Sequence, residues 1–490
     1  MHFRLVSLAV VCATLTGASI ASAQHVSPVI DATRESDHGT LEALVGSGAD
    51  LDGTQGDGAT AMHWAAHRND LRAATLLIEG GAAVNVENDL GVTPLWLAAR
   101  SGSDVMVTRL LQAGAEPDVA LAMGETPLMA AARSGADAAV DALLRSGADP
   151  NAAELERGQT ALMWAAAQRH ATVVTRLVEA GADVHARSAV WHQLENTAGN
   201  TNPSGNFRMA HGGSTALLFA ARNGDIETAR ALVDAGADVG DTAAGGTSAL
   251  VIAAHSGHGP LAIFLLVAGA DPNQAEAGYT ALHAAVLRGQ VELVASLVDH
   301  GADIDALVER GTPGRRFSGD FSLRHQYVGA NALWLAARYG EPKILHLLLD
   351  AGANAFNVPS NGMTTVQAAI GMPGNTAEDR RNQVDAPRQM DLADEQAMVI
   401  RLTTSLLDLG LDVNLPGGNG NTPLHDAVRR GFGDVIRHLV EHGADMNTPN
   451  GRDQTPLTLA ESRQTIPGSN GAQTTRPEIA QLLRELGATE

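Results

Sequence analysis

The phrase Thr93-Pro94-Leu95-Trp96-Leu97-Ala98-Ala99 returns along almost the whole chain in degenerate form. It recurs as Thr60-Ala61-Met62-His63-Trp64-Ala65-Ala66, Thr126-Pro127-Leu128-Met129-Ala130-Ala131-Ala132 and Thr422-Pro423-Leu424-His425-Asp426-Ala427-Val428. Thr60, Thr93 and Thr126 are 33 residues apart, and Thr160 follows after 34. Between successive anchors lies a Gly-Ala-Asp-like phrase, beginning at Gly48, Gly114, Gly147, Gly181, Gly236 and Gly443. A period in this range predicts a solenoid, in which each unit buries its apolar face only against its neighbours and the usual work is to hold a partner.

Within one unit, the anchor threonine can accept a hydrogen bond from an unpaired backbone N–H at a helix start, and the proline after it sits where a missing N–H costs nothing. Leu-x-x-Ala-Ala then makes one apolar stripe on a short helix, with alanines that let a neighbour approach closely. Nine residues after the anchor comes Gly102, Gly135, Gly224, Gly257, Gly289, Gly340 or Gly431, with Asn69 in the first unit, as a left-handed helix end requires. A second apolar run follows, such as Val105 to Leu111 or Ile344 to Leu349, and ends at a second glycine, as at Gly81, Gly114, Gly147, Gly301 and Gly352. Each unit reads helix, turn, helix, loop.

Threonine-proline-leucine-histidine, alanine-alanine and glycine-alanine-aspartate at this period resemble the ankyrin repeat. Anchors stand at Thr60, Thr93, Thr126, Thr160, Thr215, Ser248, Thr280, Asn331, Thr364, Thr422 and Thr455, with a half unit before them ending at Gly48-Ala49-Asp50. Ser248 and Asn331 depart from threonine, yet both can cap a helix. The resemblance implies an all-α ankyrin-repeat solenoid of stacked helix-turn-helix units with projecting hairpin-like loops. The domain plan is a signal peptide over 1–23, a short segment over 24–30, and a repeat domain over 31–490 of about eleven full repeats plus the N-terminal half repeat.

The signal-peptide expectation rests on Arg4, the apolar run Leu5 to Leu15, and the small residues Ala21-Ser22-Ala23 before Gln24. The run is too short for an ordinary membrane span, so no membrane insertion of the mature chain is expected. Cleavage after Ala23 and delivery to the periplasm or exterior of a bacterium follow. Cys12, the only cysteine, lies inside the run, so the mature chain would lack cysteine and with it cysteine-based catalysis. The net charge is −22, which repels nucleic-acid backbones, and no nucleic-acid partner is expected.

Four spacings break the period, near 185–213, 306–328, 371–394 and 462–477. The first two fall where the projecting loop belongs and carry aromatic residues that are scarce elsewhere: Trp191 in the first, and Phe317 and Tyr327 in the second, interleaved with arginines such as Arg315 and Arg316. Long loops on rigid scaffolds commonly bind, so these are candidate partner contacts, although the same residues would also serve to cover the repeats. The third and fourth fall between the two helices of their units and are polar, which reads as solvated excursion.

Seven residues after the anchors stand His67, Arg100, Arg133, Arg222, His255, Arg338 and Arg429, interrupted by Ala167 and Leu287. The ankyrin resemblance puts this position at the end of the first helix on the concave side. Stacking would then build a basic ladder suited to an acidic peptide, although a cation there is also favoured by the helix dipole alone. His438-x-x-Glu441-His442 matches the spacing of some zinc hydrolases, but Leu439 and Val440 fall where the second helix packs, and a metal role is not assigned. His63, His283 and His425 all lie three residues after an anchor, where the resemblance gives histidine a structural hydrogen-bonding role between loops. No nucleophile elbow, phosphate loop or Ser-x-x-Lys pair occurs, and neither a catalytic residue nor a cofactor is assigned. The expectation is a monomeric, non-enzymatic scaffold holding a protein or extended peptide on its concave face and loops. The alternatives are a small-ligand, carbohydrate or metal-dependent catalytic protein that uses the Trp191 and Tyr327 loops as a lid, and a purely architectural spacer.

Overall fold

The computed structural model describes residues 27–196, 206–311, 327–372, 390–465 and 473–489. Two compact units divide the chain, 1–116 and 117–490. In the first, α1 (Pro28–Arg34), α3 (Ala61–His67) and α5 (Pro94–Arg100) stack as one layer, and α2 (His38–Gly46), α4 (Leu71–Glu79) and α6 (Asp104–Gln112) as a second. The expected N-terminal half repeat is thus a full helix pair: Pro28 starts α1, and Val29, Ile30 and Ala32 are buried. The sequence reading missed α1 because no threonine anchor precedes it.

The second unit is likewise built of two layers of its own. Its first helices are α7 (Pro127–Ser134), α9 (Ala161–Gln168), α11 (Ala216–Asn223), α13 (Ala249–Ser256), α15 (Ala281–Leu287), α17 (Ala332–Tyr339), α19 (Thr365–Ile370), α21 (Pro423–Arg430) and α23 (Pro456–Glu461). Their partners are α8 (Asp137–Arg145), α10 (Ala171–Glu179), α12 (Ile226–Asp234), α14 (Gly259–Val267), α16 (Val291–Asp299), α18 (Pro342–Asp350), α20 (Leu392–Asp408), α22 (Gly433–Glu441) and α24 (Pro477–Leu486). Each layer packs neighbour on neighbour. Among the described residues the solenoid is all-α apart from two antiparallel ribbons, β1 (Val190–Asn196) with β2 (Asn206–Gly212), and the short β3 (Gln464–Thr465) with β4 (Gln473–Thr474). The ribbons occupy the first and fourth breaks in the period. In the third, α20 begins at Leu392 and runs for 17 residues, so the last part of the expected excursion is helix, capped by Asp391.

Local chemistry sets each helix start. Thr93, Thr126 and Thr160 accept from the backbone N–H three residues on, and Ser248 and Asn331 do the same for Val251 and Trp334. The turn glycine has two tasks. Gly224 adopts φ +72°, and a Cβ there would lie 2.3 Å from Nδ1 of His258 in the next unit. His258 Nε2–H reaches across that gap to the Arg222 carbonyl at 3.1 Å. His170 spans Gly135 to the Arg133 carbonyl in the same way, and Arg476 spans Gly431 to that of Arg429. Gly224→Ala is therefore expected to cost more than about 1 kcal/mol from left-handed strain alone, with the clash added. A urea midpoint equal to wild type would refute the close approach.

Candidate functional site

At five of the anchors the residue three positions on ties one loop to the next. His63 Nδ1 accepts from the Thr60 N–H at 3.0 Å, so its proton sits on Nε2, which donates to the Val92 carbonyl at 2.8 Å. His283 repeats this with Thr280 and Ala306, and His425 with Thr422 and Gln454. Gln367 makes the same pair of bonds, to Thr364 and Asn421, and Trp334 donates its indole N–H to Met363. Burial holds His63, His283 and His425 below the ordinary imidazole range, His283 at about 4. These histidines are structural links, with both ring nitrogens occupied. At the far end of the loops asparagine bridges neighbours: Asn151 donates to the Gly181 carbonyl at 3.0 Å and accepts from the Asp183 N–H at 2.7 Å, as Asn273 and Asn414 do further on.

The expected basic ladder is largely taken up inside the protein. In the first unit His67 meets Trp64 edge-on and the Arg100 guanidinium lies over Trp96 at 5.3 Å. In the second, Arg133 pairs with Glu125 at 3.1 Å and covers Trp164, and Arg338 donates to the Gly371 carbonyl. Arg429 lies 3.8 Å from Asp426, a carboxyl pushed up by burial although Arg429 and its hydrogen bonds pull the other way. His255 is half-buried beside the Tyr279 ring, whose phenol burial pushes up to about 12. Arg222 is exposed, with its carbonyl already taken by His258.

Tyr327 requires a correction. It is 3% exposed and packs on Trp334 at 5.4 Å between ring centroids, so it covers the core and offers no face to a partner or a lid. Arg315, Arg316 and Phe317 lie outside the described residues. Trp191, on β1, is 39% exposed; His211 stacks on it at 5.7 Å and the Arg157 guanidinium lies over its ring at 4.7 Å. His438 and His442 stand with ring centroids 4.3 Å apart, and His442 Nδ1 donates to the His438 carbonyl. Among the described residues no group of three His, Cys, Asp or Glu side chains is placed to hold a metal ion. Nor is any described helix long and apolar enough to cross a membrane.

The sequence reading missed the row of loop tips in which Trp191 stands. Leu155 is 76% exposed and its N–H donates to the Met123 carbonyl at 2.8 Å. The Ala189 N–H then donates to Arg157 at 2.6 Å. Met123, Leu155, Trp191 and Leu194, all exposed and apolar, thus occur on three consecutive hydrogen-bonded loops. Glu154 sets the middle loop, its buried carboxylate accepting from the N–H groups of Glu156, Arg157 and Gln159. The available signal was Met123 beside Gly124 and Leu155 three residues before Gly158, in loops where turn chemistry alone asks for polar residues. Arg187 secures the ribbon's base by donating to the Gly213 and Thr242 carbonyls and pairing with Asp241.

Comparison with known proteins gives consistent matches. A family model described as ankyrin repeats in three copies matches residues 29–121, 106–188, 194–276 and 217–308; one of many copies matches 406–460, and a single-repeat model matches 328–361. The crystal structure of the human ASB11 ankyrin repeat domain is similar at 26% identity, covering 50% of this chain and 99% of that one with a TM-score of 0.40. No curated protein matches.

Proposed function

Because the chain belongs to the ankyrin-repeat family, whose repeats are generally protein–protein interaction modules, we propose that it is a non-enzymatic scaffold that holds a protein or extended peptide. The observation that carries this reading is that Met123, Leu155 and Trp191, all exposed and apolar, stand on consecutive hydrogen-bonded loops, since monomeric proteins seldom expose large apolar surface without a partner; Leu194 lies on the opposite face of β1. Trp191 is the anchor: a large ring pre-set by His211 and Arg157 loses little freedom on binding. The concave cations contribute less than a bare ladder would, because Arg133, Arg338 and Arg429 already have partners within the chain. Arg315, Arg316 and Phe317 are further partner contacts in this proposal. The test is cross-linking in the native compartment followed by identification of the captured protein. Leu155→Ser combined with Trp191→Ala is expected to weaken capture by about 2 kcal/mol or more. Equal capture by this variant would remove the loop tips from the interface.

Delivery across a membrane is part of the proposal, with residues 1–23 removed and the mature chain working in the periplasm or outside a bacterial cell. Mass spectrometry of the native protein is expected to find Gln24 at the N-terminus; a chain retaining Met1 would refute it.

A further inference from the structure

Most second helices of the repeat end on a charged residue, as Glu179 does on α10, Asp234 on α12, Asp299 on α16, Asp350 on α18 and Glu441 on α22, while α2, α6 and α24 end on Gly46, Gln112 and Leu486. On α14 the same position is Val267, 72% exposed. The departure runs along the whole outward stripe, for where α12 carries Glu227, Arg230 and Asp234, α14 carries Pro260, Ile263 and Val267. The sequence Gly-Pro-Leu-Ala-Ile-Phe-Leu-Leu-Val contains no polar side chain. A helix apolar all round belongs in a core or against a partner, yet only Leu261, Ala262, Leu265 and Leu266 of α14 face the protein core as large or small buried groups.

A cleft of about 680 Å³ adjoins this stripe, and Pro260, Ile263, Val291, Leu293, Pro342 and Met398 form its apolar part. Charge surrounds the apolar surface unevenly. Exposed carboxylates flank it on both neighbours, Glu227 and Asp234 on α12, Glu292 and Asp299 on α16. Of the nearby cations, Arg230 is drawn onto the Phe264 ring at 5.0 Å, and Lys343 lies at the far side of the cleft.

We propose that the outer face of α14 and the cleft beside it form a second docking surface, which takes an amphipathic helix with a leucine-rich stripe and basic flanks. The apolar stripe supplies the contact area, and the flanking carboxylates select the basic partner and orient it. This surface lies on the second helices and is independent of the loop-tip row, so Trp191→Ala leaves it unchanged.

The test uses the full chain and a fluorescein-labelled synthetic helix of about 14 residues, leucine on one face and lysine on the other, with a glutamate-for-lysine analogue as the opposite-charge probe. Fluorescence anisotropy near physiological salt is expected to show saturable binding of the lysine peptide and none of the analogue. Pro260→Glu, Ile263→Arg and Val267→Asp together install the stripe of α12, and binding is expected to fall at least about tenfold. Val267→Asp alone, at an exposed helix end, covers the case in which the triple variant does not fold. Undiminished binding in a folded variant would overturn the proposal, as would equal binding of the analogue. So would sedimentation showing a dimer of this chain that Val267→Asp dissociates, because the occupant would then be a second copy.

Discussion

Lowering the pH from 7.5 to 4.5 is expected to cost the region around α15 about 2.5 kcal/mol through His283 alone. Burial holds this imidazole down to about 4, against an ordinary value of 6.5. Between those values the unfolded chain binds a proton that the folded chain refuses. Stability is therefore complete above about pH 6.5 and declines as the pH falls toward 4. The refusal has a geometric basis: Nδ1 already accepts from the Thr280 N–H, and a proton added there would face a donor in a site that water does not reach. His63 and His425 shift in the same direction for the same reason and add to the trend. The chain itself offers the control. Gln367 makes both bonds of the pattern without titrating, so His283→Gln should keep the link between loops and remove this part of the pH dependence. Urea unfolding of both forms at the two pH values measures it, and identical pH dependence would show that the imidazole is not its source.

Replacing Arg430 with alanine is expected to destabilise α20 and α21 by about 3–5 kcal/mol. Its guanidinium pairs with Glu395, donates to the Met372 carbonyl at 2.9 Å, and lies over the Phe432 ring at 4.7 Å. Met372 and Glu395 flank segment 373–389 on either side, so one side chain holds both ends of that break in the period. Glu395 is buried, and the large cost comes from the carboxylate left without a partner. Adding Glu395→Gln to Arg430→Ala should therefore recover part of the loss. Hydrogen exchange in α20 and α21 reads the effect locally, which suits a solenoid whose units open separately. A loss below about 1 kcal/mol would mean that Glu395 is not desolvated.

Much of this could be read before any coordinates. Ser248 and Asn331 cap their helices as their chemistry requires, and the loop role of His63, His283 and His425 is the one that the ankyrin resemblance implies at their shared offset. Trp334 and Gln367 at that offset donate to the next loop too, a unity invisible in residue type and plain in geometry. Tyr327 resisted reading because an aromatic residue in a long insertion suits contact and cover equally, and only the position of Trp334 decides. The candidate ladder meets the same limit: Arg100 and Arg338 share an offset and a residue type, yet Arg100 lies over Trp96 and Arg338 donates to the Gly371 carbonyl in the next repeat.

The sequence by itself determined the repeat and the start and stop of nearly every helix, because caps and turn glycines act through bonds spanning a few residues. Only the tertiary structure decided which equivalent side chains remain available to a partner. That depends on what the neighbouring unit places against them, as His258 over Gly224 and Arg430 between Met372 and Glu395 show, and on where a stripe such as that of α14 is left without cover.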